Sequence, residues 1–218
     1  MGWTPPAADI RLNLEMHDYT GPHDYFNKEY VDEWVSIANS RRPFRQRIFE
    51  ILAAELRKLD HPRVLDIGSG PGFLAERVLM VCDVESYHLF DFSPRMLELS
   101  GKRLESFVDK TVYHEGSFLD DGWWKLLPMQ FDAIVSLQAV HEVRDIERIP
   151  RLYTECRQLL LNGGLMLIAD QINKGEKQEE HFLSSEEHRA ALLGAGFDSV
   201  RMMCEVGDLA MFAASLSQ

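Results

Sequence analysis

Twelve residues in the first third of the chain constrain its fold more than any other stretch. Residues 64–75 read V-L-D-I-G-S-G-P-G-F-L-A, an apolar run followed by Gly68, Gly70 and Gly72 and then by further apolar residues. This pattern predicts a buried strand that runs through a tight turn into a helix. Because glycine has no Cβ and admits positive φ, such a turn bends sharply and lies against a ligand, with the N–H groups at the start of the helix facing it. The stretch therefore predicts a small-molecule site.

Asp91 is the acidic residue that the pattern requires next. It ends the apolar run 87–90 and lies 19 residues after Gly72. A carboxylate at this place accepts hydrogen bonds from the ribose hydroxyls of a nucleoside cofactor, and nicotinamide- and flavin-binding folds share the spacing. Their fingerprint is G-x-G-x-x-G, whereas this chain reads G-x-G-x-G with Phe73 in the place of the third glycine. The glycine pattern therefore argues against an NAD-linked reductase.

At these residues the chain resembles the class I S-adenosylmethionine-dependent methyltransferases of the small-molecule type. Residues 64–72 match the first motif of that family, and residues 91–97, D-F-S-P-R-M-L, match the acid and helix start that follow its second strand. Later motifs are matched at 116–118, 131–143 and 161–165. Two positions depart from the family pattern: Ser117 replaces the usual aspartate, so that Asp120 or Asp121 is an alternative contact to the adenine, and the fifth-strand motif lacks its proline. The resemblance extends over about residues 45 to 215.

The resemblance implies S-adenosylmethionine as the cofactor and a set of residues that bind it. These cofactor-binding residues are Asp66, Gly68, Ser69, Gly70, Gly72, Asp91, Phe92, Met96, Ser117, Phe118 and Gln138. It also places His141, after the fourth strand, beside the methyl group. With an ordinary pKa of about 6.5, a neutral imidazole accepts a proton at pH 7, so His141 is the predicted catalytic base. The alternative is that His141 only shapes the pocket.

The methyl acceptor is expected to bind between the motifs and two flexible segments, an N-terminal arm and the linker 171–183. Tyr19, Tyr25, Trp34 and Glu142 are the predicted substrate-binding residues. Aromatic rings suit an apolar or cationic acceptor, although they equally suit packing of the arm onto the domain. Glu142 is expected to orient His141 or to bind an amine. The motifs predict a small-molecule acceptor with an O or N nucleophile and leave its identity and the oligomeric state open.

Alternating strand and helix patterns predict an α/β fold with a mostly parallel sheet covered on both faces and a C-terminal hairpin. The resemblance implies that this is the Rossmann-like methyltransferase fold, a doubly wound, mostly parallel seven-stranded sheet with a C-terminal antiparallel hairpin and N-terminal helices that form a lid. We expect residues 1–45 to form an arm and lid helix and residues 46–218 the cofactor-binding domain. An S-x-x-E capping box at 184–187 marks the last helix. Strands are predicted near 63–67, 86–91, 111–115, 131–136, 164–170, 199–205 and 209–214, and helices near 28–39, 43–59, 71–82, 94–107, 147–160 and 185–195.

Charge and composition exclude several classes of function. The formal net charge of −12 opposes binding to a nucleic acid. The basic cluster 41–47 is a solvated helix face or contains an arginine that reaches the carboxylate of the cofactor. No apolar run is long enough to span a membrane, and the first residues lack the apolar core of a signal peptide, so a cytoplasmic protein without a membrane partner is expected. Cys82, Cys156 and Cys204 show no paired spacing and are expected to be buried thiols.

A metal site is not expected. A catechol-type O-methyltransferase needs an acid after strand four and an Asp-Asn pair after strand five, and this chain has Ser136 and Asp170-Gln171 there. The repeated His-Asp pairs at 17–18 and 23–24 fit solvated polarity in the arm better than a metal cluster. An inactive or accessory protein that keeps the cofactor fold is the second function class that the motifs allow.

Overall fold

The seven predicted strands form one sheet. The computed structural model describes residues 23–41, 45–128, 130–175 and 182–217. The strands are β1 (Arg63–Ile67), β2 (Ser86–Asp91), β3 (Thr111–Glu115), β4 (Phe131–Leu137), β5 (Leu160–Gln171), β6 (Ser199–Val206) and β7 (Leu209–Ser215). Their order is β3-β2-β1-β4-β5-β7-β6. β1 to β5 pair in parallel, and β7 is antiparallel to both β5 and β6. The predicted fold class is therefore confirmed.

Both faces of the sheet are covered, because neighbouring side chains of the central strands enter different apolar clusters. Val64 packs in one cluster and Leu65 in the other, as expected when alternate residues of a strand point to opposite faces. Within the described residues there are six α-helices: α1 (Lys28–Arg41), α2 (Arg45–Leu56), α3 (Phe73–Val81), α4 (Pro94–Arg103), α5 (Ile149–Gln158) and α6 (Ser185–Gly194). Shorter 3-10 helices span residues 105–107, 123–126 and 140–143.

Local signals for helix ends and turns hold where the sequence predicts them. The Ser93 side chain caps α4 by accepting from the Met96 N–H at 3.2 Å. Ser184 and Glu187 form both bonds of the capping box of α6. Gly207, with φ of 62°, makes the turn of the final hairpin. These elements follow from short-range chemistry and need no tertiary information.

Two element boundaries, two short helices and one burial prediction differ most from the sequence analysis. β5 begins at Leu160 rather than near 164, since the strand continues through Gly163, whose φ of 76° admits an irregular pairing with β4. α4 ends at Arg103, and the residues up to 107 form a separate 3-10 helix. The 3-10 helices 123–126 and 140–143 were not predicted. Cys204 is half-buried rather than buried, because it lies on the edge strand β6.

Candidate functional site

A cleft of about 690 Å³ opens at the carboxyl ends of the central strands, under α1. Ligand sites of open α/β sheets lie at this edge, where the strand order reverses, and the volume suits a small molecule. Most of the residues predicted from the sequence line it together: Tyr25, Trp34, Asp66, Gly68, Ser69, Gly70, Asp91, Phe92, Met96, Phe118, Gln138, His141 and Glu142.

Three predicted residues are placed elsewhere. Gly72 begins α3 with φ of 79°, and a Cβ there would lie 2.5 Å from the Ser100 Oγ, so its glycine serves helix packing. The Ser117 Oγ accepts from the Leu119 N–H at 3.1 Å and stabilises a turn beside the cleft. Asp121, weighed as an alternative to Ser117, pairs with Arg151. Tyr19 lies outside the described residues, as do His17 and Asp18.

The glycine turn is fixed on one side and open on the other. A Cβ on Gly68 would lie 2.3 Å from the Ala139 Cβ, so this residue packs against the end of β4. A Cβ on Gly70 would meet no atom within 4 Å among the described residues, because Gly70 faces the space of the cleft. Both have positive φ, of 67° and 55°. The turn therefore exposes backbone to a ligand at Gly70 while Gly68 anchors it.

Two buried carboxylates form the floor of the cleft. The Asp91 Oδ2 accepts from the Gly70 N–H at 2.8 Å and its Oδ1 from the Ser93 N–H at 2.9 Å. Burial raises the pKa of Asp91 to about 6, despite these bonds. Burial likewise raises the pKa of Asp66 to about 7, although the Tyr87 hydroxyl donates to it at 2.9 Å. A ligand that brings hydroxyl donors or positive charge would favour the ionised forms.

His141 lies in the 3-10 helix after β4 and pairs with Asp170 at the end of β5. The two parallel strands bring these residues together, and the His141 Nδ1 lies 2.5 Å from the Asp170 Oδ1. Asp170 is 1% exposed, and its Oδ2 accepts from the backbone N–H groups of Val140 at 2.6 Å and His141 at 3.2 Å. The carboxylate therefore fixes both the ring and the backbone that carries it. The sequence analysis weighed Asp170 only as a metal ligand and missed this role.

The other edge of the His141 ring faces Glu142. The distance from the His141 Nε2 to the Glu142 Oε1 is 3.6 Å. Glu142 also accepts from the Tyr25 hydroxyl at 3.3 Å and from Arg144 at 3.4 Å. Burial lowers the pKa of His141, but the charges and hydrogen bonds of Asp170 and Glu142 outweigh it and raise the pKa to about 9. The two carboxylates thus favour the protonated form of the ring.

The segment before α1 and α1 itself are fastened over the cleft by α4. The Ser93 Oγ donates to the Tyr25 carbonyl at 2.6 Å, and Arg95 binds Asp32 through two bonds of 2.6 and 2.8 Å from one nitrogen. The Tyr25 ring meets the rings of Trp34 and Phe92 edge to face. Tyr25 and Trp34 therefore both pack the lid onto the domain and line the cleft. A role in substrate binding and a role in packing are compatible for these rings.

The donor set of the cleft fits a nucleoside that carries an amino acid. The Ser69 Oγ and the Gln138 Nε2 are buried without a hydrogen-bond partner in the part of the chain that the structure describes, and both residues line the cleft. Gln138 also has φ of 55°, a strained conformation for a residue with a Cβ. Arg45, only 7% exposed, lines the cleft from the start of α2. The two carboxylates suit the hydroxyl and ammonium groups of such a ligand. The open donors and the buried cation suit its carboxylate group.

Further lining residues escaped the sequence analysis. Arg45 was considered only as one of a basic cluster, and only the structure separates it from its neighbours. Five others stand inside the quoted motifs without having been singled out as site residues: Pro71, Phe73, Leu74, Leu137 and Ala139. The rest carry no motif and reach the cleft through tertiary packing: His23, Tyr30, Ile37, Ala38, Arg144, Gln171 and Phe182. Across residues 23–41, 45–128, 130–175 and 182–217, no group of three or more His, Cys, Asp or Glu side chains could hold a metal ion. Within the same ranges no helix is long and apolar enough to cross a membrane.

Comparisons with known proteins agree with this geometry. Residues 64–164 match a family model described as a methyltransferase domain. A 150-residue stretch is 28% identical to the highly reducing polyketide synthase pkhB of Emericella nidulans, covering 66% of this chain and 6% of that protein. The chain thus spans a small fraction of the curated relative that it matches.

Two solved structures share the fold. The N-methyltransferase NodS of Bradyrhizobium japonicum WM9, in complex with S-adenosyl-L-homocysteine, superposes with a TM-score of 0.71 at 13% identity, covering 89% of this chain and 99% of that one. The CurJ carbon methyltransferase superposes with a TM-score of 0.71 at 14% identity, covering 89% of this chain and 61% of that one. At these identities the likeness concerns the fold.

Proposed function

We propose that the chain is a class I S-adenosylmethionine-dependent methyltransferase and that it transfers a methyl group from S-adenosylmethionine to a small molecule, with His141 as the base. The observation that carries the proposal is the pair of His141 and buried Asp170 beside the glycine turn. A titratable ring held by a buried carboxylate at the edge of a nucleoside-sized cleft is the arrangement expected where an acceptor loses a proton.

The cofactor site that we propose joins the glycine turn, the carboxylates and the open donors. Asp91 would accept from ribose hydroxyls, and Phe92 and Phe118 would contact the adenine ring. The backbone at Gly70 would lie against the amino-acid part, with Arg45 near its carboxylate. Asp66 supplies negative charge for a cationic ligand, and Gly68 keeps the turn in place. S-adenosylmethionine supplies a methyl group on a positively charged sulfur, which becomes neutral when the methyl leaves.

The work of the protein in such a displacement is mainly alignment, which contributes several orders of magnitude to the rate. His141 adds proton removal: Asp170 holds its Nδ1, so the Nε2 is the atom that meets the acceptor. The lid, with Tyr25 and Trp34, covers the cleft and excludes water. Glu142 lies beside the Nε2 and orients either the ring or a polar group of the acceptor. We assign residues 1–45 to the arm and lid and residues 46–218 to the cofactor-binding domain.

An O or N nucleophile on a small molecule is the acceptor that the motifs favour, and a carbon nucleophile is the second candidate. The carbon alternative is supported by the partial match to a polyketide synthase and by the fold shared with a carbon methyltransferase. A base at His141 serves all three nucleophiles, since each carries a proton before transfer. The net charge of −12 supports a small molecule rather than a nucleic acid.

Transfer of labelled methyl from S-adenosylmethionine to panels of phenols, amines and 1,3-dicarbonyl compounds tests the proposal. We expect turnover with one class, and His141→Asn should lower it about 100-fold or more while leaving S-adenosylhomocysteine affinity nearly unchanged. His61→Asn is the matched control, because His61 is an exposed histidine far from the cleft in the structure. Cofactor binding without transfer to any class would contradict the proposal and favour an accessory protein.

A further inference from the structure

Charged and polar groups from four parts of the fold surround His141. Asp170 reaches it from β5, and Glu142 comes from its own 3-10 helix. Arg144, from the following turn, binds the Oε2 of Glu142, and the Tyr25 hydroxyl, from the lid, donates to the same Oε1 that faces His141. The remaining neighbour is the Phe182 ring, which meets the imidazole edge to face at 5.7 Å. Two carboxylates thus contact the ring directly, whereas the cation Arg144 acts through one of them.

A further histidine behind the pair does not supply a competing charge. The His188 Nδ1 lies 2.7 Å from the Tyr153 hydroxyl, and the ring is 2% exposed. Burial lowers the pKa of His188, against the raising effect of Asp170 and of its bond to the Gln171 backbone. A neutral His188 leaves His141 as the cation that balances Asp170.

This arrangement conflicts with the task of a base. A ring clamped between two carboxylates keeps its proton, and a protonated ring accepts none. A bound ligand can change the protonation of His141, because the floor of the cleft is acidic and suits a ligand with positive charge. Under the proposed function, the base and the methyl group approach the same acceptor atom. Only that atom and the methyl group then lie between the imidazole and the positively charged sulfur. A nearby like charge favours the neutral ring.

We propose that His141 is an imidazolium in the free protein, held by Asp170 and Glu142, and becomes a neutral base only when a cation occupies the cofactor site. The inference rests on the proposed function and deepens it: the charge state of the base reports whether a methyl donor or the spent product is bound. S-adenosylhomocysteine, whose sulfur is neutral, leaves His141 protonated. The ring is therefore neutral and able to accept a proton when the methyl donor is bound, and it is protonated when the product is bound.

Nuclear magnetic resonance of the histidine ring protons, followed from pH 5 to 10, tests this without an acceptor. The His141 signal is identified by its loss in His141→Asn. The probes are S-adenosylhomocysteine and sinefungin, whose amino group takes the place of the sulfonium. We expect a pKa near 9 in the free protein. It should change little with S-adenosylhomocysteine and fall by about two units or more with sinefungin, to about 7 or below, because only then is a large part of the ring neutral at pH 7.

Equal His141 pKa values in the two complexes, or a free-protein pKa below 7, would overturn the inference. Glu142→Gln supplies a second test, because removal of one carboxylate should lower the pKa of His141 in the free protein by about one unit. Glu147→Gln is its control, since Glu147 is an exposed residue of the same loop that does not contact His141. An unchanged pKa of His141 in Glu142→Gln would show that Glu142 does not help to keep the ring protonated.

The two proposals fail in different ways. If S-adenosylhomocysteine binds and the two probes shift His141 alike, the methyltransferase assignment stands and the charge switch is wrong. If neither probe binds, the cofactor assignment itself is wrong. Asp66 and Asp91 also titrate in the cleft, but the ring-proton signals report His141 alone and so separate its protonation from theirs.

Discussion

At the scale of single residues, the cleft combines groups that hold the fold with groups that face the ligand, and Asp91 does both. Its carboxylate accepts from two backbone N–H groups and lines the cleft. We expect Asp91→Asn to weaken S-adenosylhomocysteine binding by about 1–3 kcal/mol, the value of charge-assisted hydrogen bonds to the ribose. Calorimetric titration measures this, with exposed Asp109→Asn as the control. Wild-type affinity in Asp91→Asn would refute the ribose contact.

The glycines of the turn give a second residue-scale prediction, in which stability and binding separate. Gly68→Ala forces a Cβ into the Ala139 side chain at positive φ and should destabilise the protein by about 3 kcal/mol. Gly70→Ala meets open space and should cost about 1 kcal/mol of backbone strain, yet weaken cofactor binding. Urea unfolding and calorimetry measure the two effects. Equal stability losses in both variants would contradict the different roles of these glycines.

Single residues were predictable where a local motif names them. The glycine turn follows β1 and Asp91 ends β2, the next strand along the chain, so spacing in the sequence locates both. His141 follows a motif as well, but Asp170 reaches it from another strand, and only the parallel pairing of β4 and β5 shows that the two side chains meet. Arg45 illustrates the same limit, since tertiary packing distinguishes it from the other arginines of its cluster.

At the scale of elements, the lid is joined to the domain mainly through α4. Arg95 binds Asp32 of α1 with both partners near the surface, where ion pairs contribute little to stability. We expect Arg95→Ala to change the free energy of unfolding by less than about 1 kcal/mol. Dissociation of S-adenosylhomocysteine should nevertheless become several-fold faster, because the lid opens more readily.

Stopped-flow displacement of bound S-adenosylhomocysteine measures that rate. Lys102→Ala is the control, since Lys102 lies on the same helix and pairs within it, with Glu98. A dissociation rate in Arg95→Ala equal to that of the control would show that this contact does not hold the lid.

Most elements were predictable because both sheet faces are apolar and caps mark the helix ends. The exceptions are elements whose geometry depends on partners. β5 extends through Gly163 because β4 pairs with it beyond the irregularity, and the 3-10 helix 140–143 is set by the backbone bonds of Val140 and His141 to Asp170. Neither cause is visible in a local window of sequence.

At the scale of the whole molecule, stability should depend on pH through a buried histidine pair away from the cleft. His88 and His114 stack with ring centroids 5.2 Å apart. Burial first, then His114 and Arg63, lowers the pKa of His88 to about 4, and burial lowers that of His114. The unfolded chain takes up protons below its ordinary histidine pKa, whereas the folded protein does not. The stability that depends on the neutral form of this histidine pair is therefore intact above about pH 6.5 and is lost progressively as the pH falls toward 4.

Asp66 and Asp91 act in the opposite sense, because their raised pKa values cost stability as the pH rises from about 4 to 7. A variant isolates the histidines: His88→Asn should retain about 1–2 kcal/mol more of its stability than the wild type between pH 7.5 and 5. Urea unfolding at both values measures this difference. Parallel losses in the two proteins would show that the pair does not set the acid sensitivity.

The fold of the whole molecule was predictable because a motif set and a strand alternation point to one architecture, and the structure and comparisons agree with it. The acceptor was not, since the lid, linker and turn residues that we propose for its pocket share no pattern. A family match over residues 64–164 includes most of the proposed cofactor-binding residues and leaves the lid outside it.

The most direct test of the account is calorimetric titration of the purified protein with S-adenosylmethionine, S-adenosylhomocysteine and NADH in parallel. The account predicts micromolar binding of the first two, weakened by about 1–3 kcal/mol in Asp91→Asn. It predicts no binding of NADH, because the turn reads G-x-G-x-G with Phe73 after it. Binding of NADH alone, or of none of the three, would contradict the assignment of the cleft and with it the proposed methyl transfer.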